Sequence, residues 1–410
     1  MTAPAVSAIV VSRHRPEALL RCLSGIEQLD YPAFEVIVVA DPSGLETLSA
    51  AGFDGRIKTM AFDAANISAA RNLGLAQAAG EIVAFIDDDA VPEPTWLRHL
   101  AGPFSDATVA AAGGYVIGRN GISFQHRGRR VDATGAHRPL DLPGDAPQVF
   151  DSAPGDAVKT EGTNCAFRAE ILRALGGFDP AFRFYLDETD VNLRLAAQRA
   201  RTAIVPLAQV HHGFAASERR HASRLPRTLF DVGASQAVLL RRHAPARVAA
   251  ALDAMRAEQR ARLLRFMVAG DCEPRDVGRL LDTLEAGIAE GGRRAVDDPA
   301  PLPAPSVPFL QFAGRRAFSG MTVVAGRIWR RRGLRRAAAG HVAAGRRATL
   351  YLFSPTALFH RVRFHADGYW EQRGGRFGRS ARSDPLFRYD SFRKRLEKER
   401  ARTRGVRELP

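Results

Sequence analysis

Three consecutive carboxylates, Asp87, Asp88 and Asp89, stand directly behind the apolar run "EIVAFI". Adjacent acids repel one another, and each costs free energy if water is excluded without a compensating positive charge. A metal ion, an arginine cluster or bulk water at a loop tip would each satisfy them. Three further features can carry chemistry: Asp41 behind "FEVIVVA", the acidic stretch "DETD" from Asp187 to Asp190, and the pair His211-His212. Hard cations such as Mg2+ and Mn2+ take oxygen ligands, Mn2+ also accepts imidazole, and substrate phosphates complete such shells. One or two of the clustered aspartates with one histidine would form a site of that kind. A carboxylate at a helix start, Glu188 or Asp187, could then serve as a general base. Each feature also has a plain structural explanation: a solvated loop, acids stabilising the positive end of a helix dipole, or surface imidazoles. It is their order and placement together that point to a site.

The elements that must position these residues alternate along the first half. "SAIVVS" and "FEVIVVAD" are short apolar runs, the second ending at Asp41, and "RPEALLRCLSGIEQL" between them has helical spacing with Pro16 near its start. "NISAARNLGLAQAAG" predicts a helix closed by Gly80, and "EIVAFIDDD" the next strand. Strands that are apolar throughout and separated by helices imply a parallel sheet covered on both faces, with ligands at the carboxyl ends of the strands. Asp41 and the three aspartates stand at such ends. From Tyr115 to Lys159 the chain is rich in Gly, Pro and Arg with little periodicity, the composition of a mobile substrate-facing segment or an insertion. "GTNCAFRAEILRALGGFD" then predicts a strand or turn leading into a helix that stops at Gly176-Gly177. "YLDETDVNLRLAAQRART" predicts a helix, and "AIVPLAQVHHG" a strand ending in the two histidines.

Beyond Ser217 the character changes. Residues 1–217 carry a net charge of −6 and the remainder +21, almost all of the basic residues being Arg. Such asymmetry suits an anionic partner, although a general preference for Arg would produce it too. "ARVAAALDAMRAEQRARLLRFM" and "DVGRLLDTLEAGIAEG" are amphipathic helices, Arg293–Pro308 has a linker composition, and "SFRKRLEKERARTRG" reads as a solvated helix or tail. The expected division is 1–217, 218–292, 293–308 and 309–410. No window reaches the length of a transmembrane helix, the N-terminus lacks a signal-peptide pattern, and the three cysteines are widely spaced. These features fit a cytoplasmic protein. The basic half shows no helix-turn-helix, zinc finger or Arg/Gly–aromatic pattern, so no specific nucleic acid is expected.

Taken together, these blocks resemble family 2 glycosyltransferases, inverting enzymes of the GT-A fold that move a sugar from a nucleotide diphosphate to an acceptor. The resemblance covers about residues 6–217. It rests on "AIVVSRHRPEALLRCLSGIEQLDYPAFEVIVVADPSG", on "SAARNLGLAQAAGEIVAFIDDDAVPEPTWL" with an Asp-x-Asp motif, and on "GTNCAFRAEILRALGGFDPAFRFYLDETDVNLRL". It implies a Rossmann-like α/β fold with a mainly parallel sheet flanked by helices, followed here by a mostly helical basic C-terminal region. It further implies Glu188 as catalytic base with Asp187 before it, Ser12, Asp41, Arg71, Asp87 and Asp88 at the donor, and Asp89 with His212 at a Mn or Mg ion, His211 being the alternative. Asp41 would meet the nucleobase, most often uracil. Two departures from the pattern are Ala40 in place of an aspartate and the order Asp187-Glu188 in place of Glu-Asp. The implied partners are a nucleotide-sugar donor and a glycan or lipid-linked acceptor of cell-surface synthesis; the second half either meets an anionic membrane surface peripherally, through helices near Trp329, Phe359 and Trp370, or packs on the first as an accessory helical domain. A non-catalytic scaffold and a metal-dependent nucleotidyltransferase are the competing functions.

Overall fold

The computed structural model describes residues 3–213, 221 and 223–407, so the expected boundary at 217/218 lies outside the described residues. The chain opens with β1 (Val6–Ser12), α1 (Pro16–Ile26), β2 (Phe34–Ala40), α2 (Pro42–Ala50), β3 (Lys58–Ala61), α3 (Ile67–Gln77) and β4 (Ile82–Asp87). It continues through β5 (Ala90–Pro92), α4 (Trp96–Ala101), β6 (Val109–Ile117), β7 (Phe124–His126), β8 (Arg129–Asp132), β9 (His137–Pro139), β10 (Gln148–Phe150) and β11 (Asp156–Lys159). β12 (Asn164–Arg168), α5 (Ala169–Ala174), α6 (Asp187–Ala197) and β13 (Arg201–His212) follow.

A ten-stranded sheet in the order β10-β13-β6-β12-β4-β1-β2-β3, with β5 on β13 and β7 on β6, forms the centre. β3, β2, β1, β4, β6 and β13 all run one way, while β12 lies antiparallel between β4 and β6. The fully apolar strands follow from burial of both faces. Val36, Val38 and Ala40 meet Leu19, Leu23 and Trp96 on one side, and Ile37 meets Ile9, Leu75 and Phe85 on the other. Each such side chain contributes about 1.5–3 kcal/mol of burial free energy. Asn66 starts α3 by accepting from the Ala69 N–H at 3.1 Å, which frees the preceding loop to line the cleft described below. β8, β9 and β11 form a small separate sheet within the region that showed no periodicity.

The second half is mostly helical, as expected. α7 (Phe230–His243), α8 (Val248–Val268) and α9 (Pro274–Arg293) share a core that includes Leu240, Leu263, Leu280 and Leu284. α7 and α9 approach closely because a Cβ at Gly287 would lie 2.0 Å from the Phe230 carbonyl oxygen. Residues 294–318 form neither helix nor strand and are strapped to the first half, where Leu310 N–H donates to Glu35 Oε2 at 2.9 Å and Phe312 packs on Phe34. Next come β14 (Ser319–Arg327), α10 (Arg331–Ala343), β15 (Arg346–Ser354), β16 (Arg361–Phe364), β17 (Trp370–Gly375) and α11 (Phe392–Arg407). Their four-stranded sheet, β14-β15-β17-β16, is absent from the sequence reading. α11 also departs from a solvated tail, since Arg395, Glu399, Thr403, Val406 and Arg407 are buried. Its charges are matched inside the fold, with Arg395 pairing with Glu399 and Arg407 with Glu93. Among the described residues no helix is long and apolar enough to cross a membrane.

Candidate active site

The sheet register gathers the acidic residues at one edge. Ser12 aligns with Ala40, just before Asp41, and Val11 with Asp87. A turn over Asp88 and Asp89 leads into β5, whose Ala90 aligns with His212 at the end of β13. Carboxylate oxygens of Asp87 and Asp89 and an imidazole nitrogen of His212 thereby come within 4.8 Å of one another. His212 Nε2 lies 3.1 Å from Asp89 Oδ1, and its Nδ1 is 3.0 Å from Gln125 Oε1. A proton on Nδ1 donated to Gln125 would leave the Nε2 lone pair facing the carboxylates, the usual arrangement behind a ligating histidine. Two carboxylates and an imidazole fit Mn2+ well.

His211 turns the other way, with Nε2 2.7 Å from Glu93 Oε1 and its ring 4.4 Å from that of Trp370. Geometry therefore brings His212, not His211, to the aspartates. Asp87 also joins this group, whereas sequence analysis set it on the donor side. Asp88 points inward, accepting from Ser12 Oγ at 2.7 Å and facing Arg15 Nη2 at 2.6 Å. Burial, reinforced by Asp89 and Asp87, outweighs Arg15 and pushes the Asp88 carboxyl up to about 7.

α6 begins after Tyr185 and Leu186, whose φ angles of 73° and 64° are in the left-handed region. Such conformations in non-glycine residues cost about 1–3 kcal/mol each and persist where packing enforces them. Leu186 is buried with Phe182 and Leu193, which holds the turn. Glu188 lines the cleft, whereas Asp187 bonds Arg71. Arg71 is buried, reaching Asp87 Oδ1 at 3.4 Å and the Gly162 carbonyl at 3.1 Å, and so ties the two acidic clusters together. Lys159 Nζ donates to Glu188 Oε1 at 2.5 Å and to Thr189 Oγ1 at 3.0 Å. Burial alone would raise the Glu188 carboxyl, but Lys159 outweighs it and holds the group below the usual carboxylate range. Arg194, later on α6, pairs with Asp190, its Nε donating to Oδ2 at 2.8 Å.

Both clusters line one cleft of about 440 Å3, within the range of small-molecule sites. Ser12, Arg15, Asp87, Asp89 and His212 contribute to it, as do Lys159, Glu161, Tyr185 and Glu188. The segment from Tyr115 to Lys159 is folded against this cleft and adds Gln125, His126 and His137. Asp41 is buried behind the β1–α1 loop, with Oδ1 accepting from the His14 N–H at 2.8 Å and Oδ2 from Ser43 Oγ at 2.5 Å. Burial would raise its carboxyl, but these hydrogen bonds pull it below the ordinary value. Sequence reasoning missed Arg15, Gln125 and Lys159. Arg15 had a signal in its place three residues beyond Ser12, and Lys159 in being one of four lysines among 59 basic residues. Gln125 had none.

Residues 7–176 match the profile described as "Glycosyl transferase family 2". Over this stretch the chain is similar to glycosyl transferase family 2. Curated proteins similar to this region include a pre-mycofactocin glycosyltransferase of Mycobacterium tuberculosis, 32% identical over 149 residues, 35% of this chain and 29% of that protein. Another is the glycosyltransferase AglE of Haloferax volcanii, 31% identical over 122 residues, 28% of this chain and 40% of AglE. The chain thus spans less than half the length of these relatives. A solved mannosyltransferase of Pyrobaculum calidifontis, in complex with GDP-Man and Mn2+, superposes with a TM-score of 0.42 at 20% identity, covering 71% of this chain and 88% of that one.

Proposed function

We propose that the protein transfers a glycosyl group from a nucleoside diphosphate donor, a UDP-sugar being favoured, to an acceptor hydroxyl with inversion, in a reaction dependent on Mn2+ or Mg2+. The observation that supports this most is the presence in one cleft of a two-carboxylate, one-imidazole group and a carboxylate at a helix start. Glu188 takes the proton of the acceptor hydroxyl as its oxygen bonds to the anomeric carbon. The bond from that carbon to the diphosphate breaks, and its electron pair leaves with the diphosphate oxygen. One base suffices for such a single displacement, whereas retention would need a nucleophile on the opposite face. A cation held by Asp87, Asp89 and His212 supplies Lewis-acid stabilisation of the leaving diphosphate. Ser12 lies against the nucleoside, Asp41 recognises the base once Ser43 turns from Oδ2, and Asp187 and Arg71 hold Glu188 and Asp87 in place. Asp88, clasped by Ser12 and Arg15, fixes the turn that carries Asp89.

Thermal-shift screening of UDP-, GDP- and dTDP-sugars with Mn2+, followed by transfer assays, tests this reading, because a ligand that binds only the folded state raises apparent stability. Release of nucleoside diphosphate from a stabilising donor is expected. Pyrophosphate release would favour a nucleotidyltransferase, and neither binding nor turnover would favour a scaffold.

The acceptor side of the proposal is a glycan or lipid-linked substrate of cell-surface synthesis, met at an anionic membrane face. Exposed Trp329, Phe359, Leu386 (77%) and Tyr389 (79%) favour it, flanked by arginines such as Arg327 and Arg388. Trp370 does not belong to that surface: it is only 1% exposed, because His211 and Arg407 cover its ring. Co-sedimentation with anionic vesicles at low salt is expected. Failure to sediment would remove the membrane from the proposal.

A further inference from the structure

Asp89 precedes and His212 ends a ladder only three residues long, in which Ala90, Val91 and Pro92 of β5 align with His212, His211 and Val210. The ladder to β6 holds β13 only as far as His211, and the outer side of the short β5 pairing is covered by residues from the far end of the chain. Glu93, immediately after β5, receives Arg407 Nε at 2.8 Å and Nη2 at 2.7 Å, and its Oε1 lies 2.7 Å from His211 Nε2. The Arg407 guanidinium lies 4.4 Å over the Trp370 ring, and that ring packs on His211. α11 is fastened at the same place, where Thr95 Oγ1 donates to the Val406 carbonyl at 3.1 Å and His99 Nε2 lies 2.9 Å from the Gly405 carbonyl. These partners satisfy carbonyls that a helix end leaves without an intrahelical donor. Removing Arg407 would leave Glu93, the hydrogen-bond partner of His211, buried without its cation, and His212 is the next residue.

We infer that Glu93, Arg407 and Trp370 form a positioning clamp, through which the C-terminal module aims His212 at Asp89 and so sets the affinity of the proposed cation site. The inference rests on the cation reading above. None of the three lines the cleft, so they act through β5 and β13 and not on substrate.

The test is Mn2+ affinity of the full chain, read from the electron paramagnetic resonance of free Mn2+, for wild type, Arg407→Ala, Arg407→Lys and His212→Ala. Loss of a group bonded directly to a metal ligand weakens affinity by about 10–100-fold, and Arg407 acts through Glu93 and His211, so Arg407→Ala is expected at the lower end, about tenfold, with partial rescue by Arg407→Lys. In the His212→Ala background Arg407→Ala should add little, because both act on one ligand. If Arg407→Ala fails to fold, His211→Gln, which weakens the same clamp from the other side, replaces it with the same expectation. A folded clamp variant with wild-type Mn2+ affinity overturns the clamp while leaving the cation reading intact. A wild-type chain that binds no Mn2+ overturns both.

Discussion

At the His212 end of the cleft, Asp87, Asp88 and Asp89 share Arg15 and a 3.4 Å contact to Arg71. At the α6 end the cations match the carboxylates in number: Glu188 faces Lys159, Asp187 faces Arg71, which also reaches Asp87, and Glu161 faces Arg129. Unit charges 4 Å apart interact by about 4 kcal/mol at an effective dielectric constant of 20. Unbalanced carboxylates therefore attract a mobile cation strongly, while a balanced set has little to gain from one. The difference divides the labour of the proposed reaction, with diphosphate and cation at the acid-rich end and proton transfer at the neutralised end.

The largest expected effect breaks the neutral end. Glu188→Gln should lower kcat by about 10³-fold, within the 10²–10⁴ range of general bases, while thermal shifts by the donor stay as in wild type. Near-normal turnover would take Glu188 out of its role. Asp89→Asn should lower kcat/KM by about 10²-fold and weaken Mn2+ binding, and EDTA should abolish transfer by wild type. Full activity in a chelated sample would make the acid-rich end a structural feature only. Lys159→Met should move the acid limb of the kcat/KM profile to higher pH, since the cation that lowers the Glu188 carboxyl is gone. Stability carries the same sign. The native pair contributes fully above the unfolded glutamate value of about 4.3, and its contribution is lost as pH falls through the lower folded value. An unshifted acid limb in Lys159→Met would mean that another group governs it. Arg15→Lys should have the smallest effect, a loss of about threefold in kcat/KM, because one ammonium replaces a fork that spans two carboxylates.

Much of this arrangement was legible before the fold was known. Apolar runs marked β1, β2 and β4, Gly176-Gly177 ended the helix after β12, and the acidic residues stood at strand ends where the topology gathers them. β6, "VAAAGGYVI", was harder, because small residues give it little strand character although it is buried throughout. The C-terminal sheet was missed because Arg-rich segments mask short strands. α11 was misread because charge in a sequence does not reveal whether a partner waits 314 residues away, as Glu93 does for Arg407. The choice between His211 and His212 could not be made from the chain alone either, since the pairing of β13 with β5 and β6 decides it. Lys159 was passed over for a related reason: its partner Glu188 comes from a different element.

β5 has a consequence for how this region could vary. Side chains alternate along a strand, and the ladder to β6 holds β13 in frame, so sliding β5 by one position would turn Asp89 away from His212. A single-residue deletion between Asp89 and Glu93 should therefore do more harm than most substitutions there. The three-residue strand β5 thus acts as a spacer whose length decides whether carboxylate and imidazole meet.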